Sequence, residues 1–248
     1  MSSTYSSLEQ SLRVDLAAGF RWLDRWGMSD LVAGSLVARE PGNAEWMYTH
    51  PHGMTFDELC ASDFIKVNFG NEVIDGSNQR TNFAAVKPAA AVFEARPDVN
   101  AIIHAHAPAV MAVSGLECGL LLASEPSFMF YEGLSYIDAN FHFDDDYCAT
   151  VANAVAGGGK AVIYRNHAFA TVGKDVPEAM LRAYLLNQAC EIQLRMMATG
   201  AEIHVPTETE QAKHYDAFYG IEDYVYDGGL EWPGLLRRLD RESPSYKN

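Results

Sequence analysis

The chain has 248 residues, of which 48% are hydrophobic and 21% are charged, as is typical of a globular protein that buries a substantial core. No apolar run approaches the roughly 18 to 20 residues that a membrane span needs, so no membrane partner is expected. Acidic residues outnumber basic residues by 33 to 18, and the resulting net charge of −15 argues against nucleic acid as a partner.

The amino terminus and the cysteines favour a cytoplasmic protein. The first residues lack the basic start and apolar core of a signal peptide. The cysteines are scattered and form no Cys-x-x-Cys pair, so we expect reduced thiols, with one reactive cysteine as the alternative. They are Cys60, Cys118, Cys148 and Cys190.

The first part of the chain is predicted to contain one long helix, three short strands and an alanine-rich helix. Residues 7–28 carry leucines at helical spacing. Gly34 interrupts a predicted strand, which indicates either a bend or a ligand that approaches the backbone. The strands are predicted over 31–38, 45–50 and 62–69, a tight turn over 51–53, and the second helix over 87–95 with Pro88 in its first turn.

The rest of the chain alternates predicted strands and helices. The acidic residues 144–146 are interpreted as a helix cap, with a calcium site as the alternative. We expect one α/β domain over residues 1–248, with a tail of short helices from about residue 201. Strands are predicted over 99–103, 120–122, 128–137 and 161–164, and helices over 108–113, 147–156 and 175–200.

Three histidines form the strongest chemical pattern in the sequence. His104 and His106 follow an apolar strand, and alternation along an extended chain makes them project the same way. His167 follows a second predicted strand. Three neutral imidazoles can hold one cation and leave a position open, as in catalytic metal sites. The alternative is a pair of ordinary surface histidines after a core strand.

Several short motifs, in order, resemble the class II aldolase/adducin family. Residues 95–98 followed by 103–108 resemble its "arpD…vvHtHsp" core. Residues 165–167, then 171–173 and a long helix, resemble its "rnHG…vG…eA" segment. The weaker matches are Gly34 and Arg39 to "GNiSaR", Pro51 and Gly53 to "PsG", and residues 62–67 to "s.lvkvd". The resemblance covers residues 10 to 200.

This resemblance implies a three-layer α/β/α fold around a mostly antiparallel central sheet. It also implies one divalent metal per subunit on His104, His106 and His167, a small-molecule substrate, and a homotetramer with active sites between neighbouring subunits. Zinc is our first choice, because sites with three nitrogen ligands suit it, and manganese and iron remain open.

The resemblance also suggests residues around the metal. Gly34 and Ser35 lie in the first motif, and His52 and Gly53 lie in the "PsG" turn, so these four residues are expected to contact substrate. Glu125 lies 19 residues after His106, where family aldolases carry an acid-bearing side chain. We expect Glu125, together with Tyr131 in the aromatic stretch that follows, to be catalytic.

Departures from the family motifs point to the substrate class. Sugar-phosphate aldolases of the family carry Ser-Ser-Glu where this chain has Phe83-Ala84-Ala85, and the asparagine and serine of "GNiS" are Ser35 and Val37. Without these groups a phosphate dianion would be buried uncompensated. The substitutions at 83–85 instead resemble the adducin-like branch.

We therefore predict a metal-dependent carbon–carbon lyase. Its expected substrate is a non-phosphorylated carboxylic acid that is aromatic or hydroxylated, and decarboxylation is our first choice of reaction. Decarboxylation needs an electron sink and a proton rather than the missing glutamate base. The alternatives are an aldolase that cleaves a non-phosphorylated hydroxy-keto acid, an Fe(II)-dependent oxygenase, and a non-catalytic adducin-like interaction module.

Overall fold

The computed structural model describes residues 6–219 and 226–248, and these residues form one seven-stranded sheet between two layers of helices. The strands are β1 Ser35–Arg39, β2 Trp46–Thr49, β3 Ile65–Asn68, β4 Ala101–Ala105, β5 Leu134–Asp138, β6 Ala161–Arg165 and β7 Ala168–Gly173. Their order in the sheet is β3-β2-β1-β4-β7-β6-β5. Every neighbouring pair is antiparallel except β5 and β6, which are parallel. The predicted α/β class with a mostly antiparallel sheet is confirmed.

The helices cover both faces of the sheet. They are α1 Ser7–Arg25, α2 Phe83–Ala95, α3 Pro108–Ser114, α4 Glu125–Phe128, α5 Asp145–Ala154, α6 Val176–Ala198, α7 Glu208–Tyr219 and α8 Glu231–Glu242. Side-chain caps at Ser6, Asp144 and Asp175 accept backbone N–H groups at the starts of α1, α5 and α6. The acidic residues 144–146 therefore act as the predicted helix start.

Two hydrophobic clusters divide the core between the faces. One cluster joins the sheet to α1, α3 and α6 through residues such as Phe20, Ile103 and Phe169. The other joins it to α2 and α5 through residues such as Phe93 and Ile102. Because side chains alternate along a strand, His104 projects from β4 on the side of Ile102, toward α2 and α5.

Two predicted strands are wrong or misplaced. Residues 120–122 form no strand, since side chains satisfy the local backbone: the N–H of Leu120 donates to the hydroxyl of Tyr136, and the N–H of Leu121 donates to the amide of Gln193. The strand predicted over 128–137 is confined to β5. A Ser124 cap begins the short helix α4, which occupies the start of that aromatic stretch.

Helix α2 is longer than the sequence predicts. It begins at Phe83, because the side chain of Asn82 caps the N–H of Ala84, and Pro88 lies inside the helix instead of in its first turn. Strand β7 was not predicted as an element of its own. These two corrections concern the elements that surround the histidines.

Among the described residues that follow 201, the chain forms two helices, α7 and α8, and a short 3-10 turn, Pro244–Lys247. Trp232 and Leu239 of α8, together with Tyr246 of the turn, are buried in the cluster that contains α1. The indole N–H of Trp232 donates to Asp15 at 2.8 Å. Across the described ranges, no helix has the length and hydrophobicity to cross a bilayer.

Candidate metal site

His104, His106 and His167 come together at one end of the sheet. His104 lies in β4, His106 follows its last residue, and His167 lies in the turn between β6 and β7. One potential ligand atom from each ring lies within 4.8 Å of the other two. The ring centroids are 5.0–5.3 Å apart. The structure thus brings together the three histidines that the sequence singles out.

The sheet register explains this meeting. Strands β4 and β6 both pair with β7, with Ala105 opposite Phe169 and Tyr164 opposite Ala168, so their ends converge. The backbone N–H of His167 donates to the carbonyl of Tyr164 at 3.1 Å, which closes the turn. Asn166 has a φ of 56° in this turn, a conformation that asparagine tolerates better than most residues.

The surroundings keep two of the rings uncharged. Burial, and then the proximity of the other two histidines, lower the pKa of His104 to about 3. Burial, and then His106, also lower the pKa of His167. Neutral imidazole is the form that ligates a metal, so the site is prepared for a cation at neutral pH.

The donor atoms fit a divalent metal. Nε2 of His106 and Nδ1 of His167 are buried and have no hydrogen-bond partner within the part of the chain that the structure describes. A buried nitrogen left unsatisfied costs free energy, and a cation among the three rings would satisfy it. Three nitrogen ligands would leave at least one coordination position open, as in catalytic zinc sites.

Asp30 contacts this group and was not found by the sequence analysis. Its carboxylate oxygen Oδ2 lies 3.2 Å from Nδ1 of His106. The two residues are 76 positions apart, and no motif or spacing links them. Only the fold reveals the contact.

A narrow cavity of about 40 Å³ lies beside the histidines, between β1, β4 and helix α2. Ser35 stands directly opposite His104 in the β1–β4 ladder. The cavity wall is mostly apolar. It is formed by Ser35, Val37, Ala84, Ala85, Pro88, Ala89, Val92, Ile102, His104, Phe143, Tyr147, Val151, Val155, Val162, Tyr164, His167, Ala170 and Val172.

Gly34 is explained by a close backbone approach. Its φ is +100°, and a Cβ atom there would lie 2.9 Å from the carbonyl oxygen of His104 and 3.0 Å from Cζ of Phe56. Glycine therefore allows the chain before β1 to lie against the end of β4. The sequence predicts either a bend or a ligand close to the backbone at this glycine. In the structure the close neighbours are the carbonyl of His104 and the ring of Phe56.

Tyr164 is a second residue that the sequence analysis missed. It is buried, it lines the cavity, and its ring lies edge-on to His104 at 5.2 Å. Among the described residues, none forms a hydrogen bond with its hydroxyl. Burial raises the pKa of Tyr164, so the phenol remains a donor. The sequence signal for this residue is its position three residues before His167, on the strand predicted to lead to that histidine.

Glu125 and Tyr131 are not brought to the histidines within one chain. Tyr131 contacts Tyr215 of α7, whose hydroxyl accepts from Lys160 just before β6, whereas His167 lies beyond the end of β6. Glu125 is exposed at the first position of α4. Neither residue lines the cavity. Their catalytic role remains a prediction, and within this fold it would require a neighbouring subunit.

His52 and Gly53 occupy the predicted turn after β2. Both are exposed, and neither lines the cavity. The backbone N–H of His52 donates to the carbonyl of Arg80 at 2.8 Å. Since β2 is antiparallel to β1, this turn lies at the same end of the sheet as Ser35. Substrate contact by His52 and Gly53 remains a prediction.

Comparisons with known proteins agree with the fold. A candidate aldolase class 2 protein of Pseudomonas aeruginosa is 32% identical over 245 residues, which cover 98% of this chain and 94% of that protein. Mouse alpha-adducin is 34% identical over 206 residues, which cover 80% of this chain but only 27% of the adducin. The crystal structure of an aldolase II superfamily protein from Pseudomonas syringae is 28% identical and superposes with a TM-score of 0.90, covering 99% of this chain and 98% of that one.

The family assignment follows from these similarities and from a sequence profile. The profile of the class II aldolase and adducin N-terminal domain matches residues 14–194, a range that includes all three histidines, Asp30 and the cavity. The chain therefore belongs to the class II aldolase and adducin family.

Proposed function

We propose that this protein is a divalent-metal-dependent carbon–carbon lyase whose substrate is a carboxylic acid without a phosphate, and that it acts as a decarboxylase. One observation carries the proposal. The cavity beside the three histidines is apolar at the positions where sugar-phosphate aldolases of the family carry hydroxyl and carboxylate groups. Here these positions are Val37, Ala84 and Ala85.

The cavity wall explains why a phosphate is disfavoured. It contains no lysine or arginine. Apart from the metal, a phosphate dianion in this space would lose its hydration without gaining a cationic side chain or several hydrogen bonds, and such burial is costly. The alanines and valine instead suit a small apolar portion of a substrate.

The polar groups of the wall suit the carboxylate end. Ser35 and Tyr164 have hydroxyl groups and flank His104. The phenol of Tyr164 would donate a hydrogen bond to a substrate oxygen, and it would supply the proton that the substrate carbon takes up after CO2 leaves. Stabilisation of the negative charge that develops when the carbon–carbon bond breaks is the chemistry that a divalent cation on His104, His106 and His167 supplies.

Zinc remains our first choice for the cation, with manganese and iron open. We also propose a homotetramer, in which Glu125 and Tyr131 of a neighbouring subunit could approach the site of this one. The four cysteines are free thiols, which supports a reducing compartment such as the cytoplasm.

An aldolase that cleaves a non-phosphorylated hydroxy-keto acid is the second candidate. The same cavity and histidines favour it, but aldol cleavage requires a base for the substrate hydroxyl, and no carboxylate lines the cavity. The similarity to alpha-adducin supports a third possibility, a non-catalytic interaction module. These candidates differ in measurable ways.

The test is a substrate screen of the metal-loaded protein with His104→Ala as the matched metal-deficient control. The panel contains hydroxy-aromatic acids, hydroxy-keto acids and sugar phosphates, and the readouts are CO2, pyruvate or aldehyde, and oxygen uptake. We expect CO2 release by the wild type only. Pyruvate or aldehyde without CO2 would favour the aldolase, and oxygen uptake would favour an Fe(II) oxygenase. Turnover of a sugar phosphate would contradict the proposal.

A further inference from the structure

We propose that Asp30 is a positioning residue for the metal site: it holds the ring of His106 with the proton on Nδ1, so that Nε2 is free to bind the cation. This inference rests on the proposed metal-dependent function. Metal-bound histidines commonly donate their second ring N–H to a carboxylate, and that partner fixes the tautomer and orientation of the ring.

The chemistry of the contact determines where the proton lies. A carboxylate is an acceptor only, so in the 3.2 Å contact between Asp30 Oδ2 and His106 Nδ1 the ring nitrogen must donate. In a neutral imidazole, protonation of Nδ1 leaves a lone pair on Nε2. That Nε2 atom is buried, and no described residue donates a hydrogen bond to it. The unsatisfied lone pair therefore belongs to the group of potential metal ligands.

The chain is shaped to bring Asp30 to this position. The N–H of Ala33 donates to the carbonyl of Asp30 at 2.8 Å, and this closes a turn just before β1. Leu31 within the turn has a φ of 51° and is 81% exposed. A leucine at positive φ is strained, and this exposed side chain buries little apolar surface to compensate. Gly34 then lets the same segment contact the His104 carbonyl, so the turn is anchored at the end of β4.

Asp30 distinguishes His106 from the other two histidines. Among the described residues, His106 alone of the three contacts a carboxylate. The Asp30 side chain is 58% exposed, so solvent screens its charge. Loss of such a partner typically weakens metal binding by about 10- to 100-fold. Because Asp30 is screened, we expect its loss to weaken binding by about tenfold.

The first test measures zinc affinity by competition with a chromophoric chelator. Asp30→Ala removes both the charge and the acceptor and should weaken zinc binding by about tenfold. Asp30→Asn retains an oxygen acceptor without the charge and should weaken binding less. Asp24→Asn is the matched control, because Asp24 precedes the same turn and accepts from the Ser29 hydroxyl rather than from a histidine. It should bind zinc like the wild type.

The second test requires no metal. Nitrogen-15 NMR of the metal-free protein reports which ring nitrogen of His106 carries the proton. We expect the Nδ1–H tautomer in the wild type and in Asp30→Asn, and a shift toward Nε2–H in Asp30→Ala. If wild type and Asp30→Ala have the same tautomer and equal zinc affinities, the proposed role of Asp30 is overturned and the metal function is not. A wild-type protein that takes up no zinc, manganese or iron would overturn the metal function itself.

Discussion

Stability at mildly acidic pH is expected to depend on one histidine outside the metal site. His50 follows β2 and is completely buried, between the rings of Phe20 and Phe56 at 4.8 and 6.3 Å. Neither of its ring nitrogens has a hydrogen-bond partner among the described residues. Burial, and then the nearby His52, lower the pKa of His50 from 6.5 to about 4.

The sign and size of the effect follow from this pKa. The unfolded chain takes up a proton on His50 near pH 6.5, whereas the folded protein resists protonation until about pH 4. The free energy of unfolding is therefore unaffected above pH 6.5 and falls as the pH drops through this window. The full difference corresponds to about 3 kcal/mol.

Replacement of His50 by leucine should remove this dependence. The assay is urea denaturation from pH 7.5 to 4 with a chelator present, so that metal binding does not contribute. We expect the free energy of unfolding of His50→Leu to fall less than that of the wild type, by an amount approaching about 3 kcal/mol. The exposed His204→Leu variant is the control, because His204 takes no part in the His50 shift, and it should follow the wild type. Parallel curves for His50→Leu and the wild type would refute the reasoning.

Three further predictions concern single residues. Gly34→Ala should lower the free energy of unfolding by about 2 kcal/mol or more, because its Cβ would approach the His104 carbonyl. Gly53→Ala is the control: its φ of +104° is similar but a Cβ there meets nothing within 4 Å, so urea denaturation should show a smaller loss, and equal losses would contradict the contact. Burial raises the pKa of Asp15 to about 6, so its charge costs stability as the pH rises above 3.8 and through 6. Asp15→Asn, which still accepts from Trp232, should gain about 3 kcal/mol at pH 8 and almost nothing at pH 4; no gain at pH 8 would contradict this. Tyr164→Phe removes a hydroxyl without a described partner while the ring stays buried, so the stability of the variant should stay within about 1 kcal/mol of the wild type. A loss of stability in thermal melts would mean that the hydroxyl has a partner.

The sequence predicts well the parts of the fold that depend on local patterns. The apolar run before His104 and the long helix near the C-terminus have clear periodicity, and both are present as β4 and α6. The strand predicted over 120–122 fails because Tyr136 and Gln193, distant in sequence, satisfy its backbone. Side-chain partners of that kind leave no local trace.

The candidate site likewise combines residues that local patterns reveal with residues that only the fold brings together. Two histidines two positions apart on a strand must share a face, and this local rule makes His104 and His106 recognisable as a pair. The contact between His106 and Asp30 depends instead on how the segment before β1 lies against β4, which spacing does not encode. Glu125 is predicted from its spacing after His106 and Tyr131 from the aromatic stretch that follows, and the fold places both away from the three histidines of the same chain.

Metal content is the most direct test of the central claim. We expect close to one divalent cation per chain in the purified wild type, measured by elemental analysis after dialysis. His106→Ala should lose most of this metal while its circular dichroism spectrum stays that of the folded protein, and the exposed-histidine variant His52→Ala should keep it. Full metal content in His106→Ala, or none in the wild type after incubation with zinc, manganese or iron, would contradict the account.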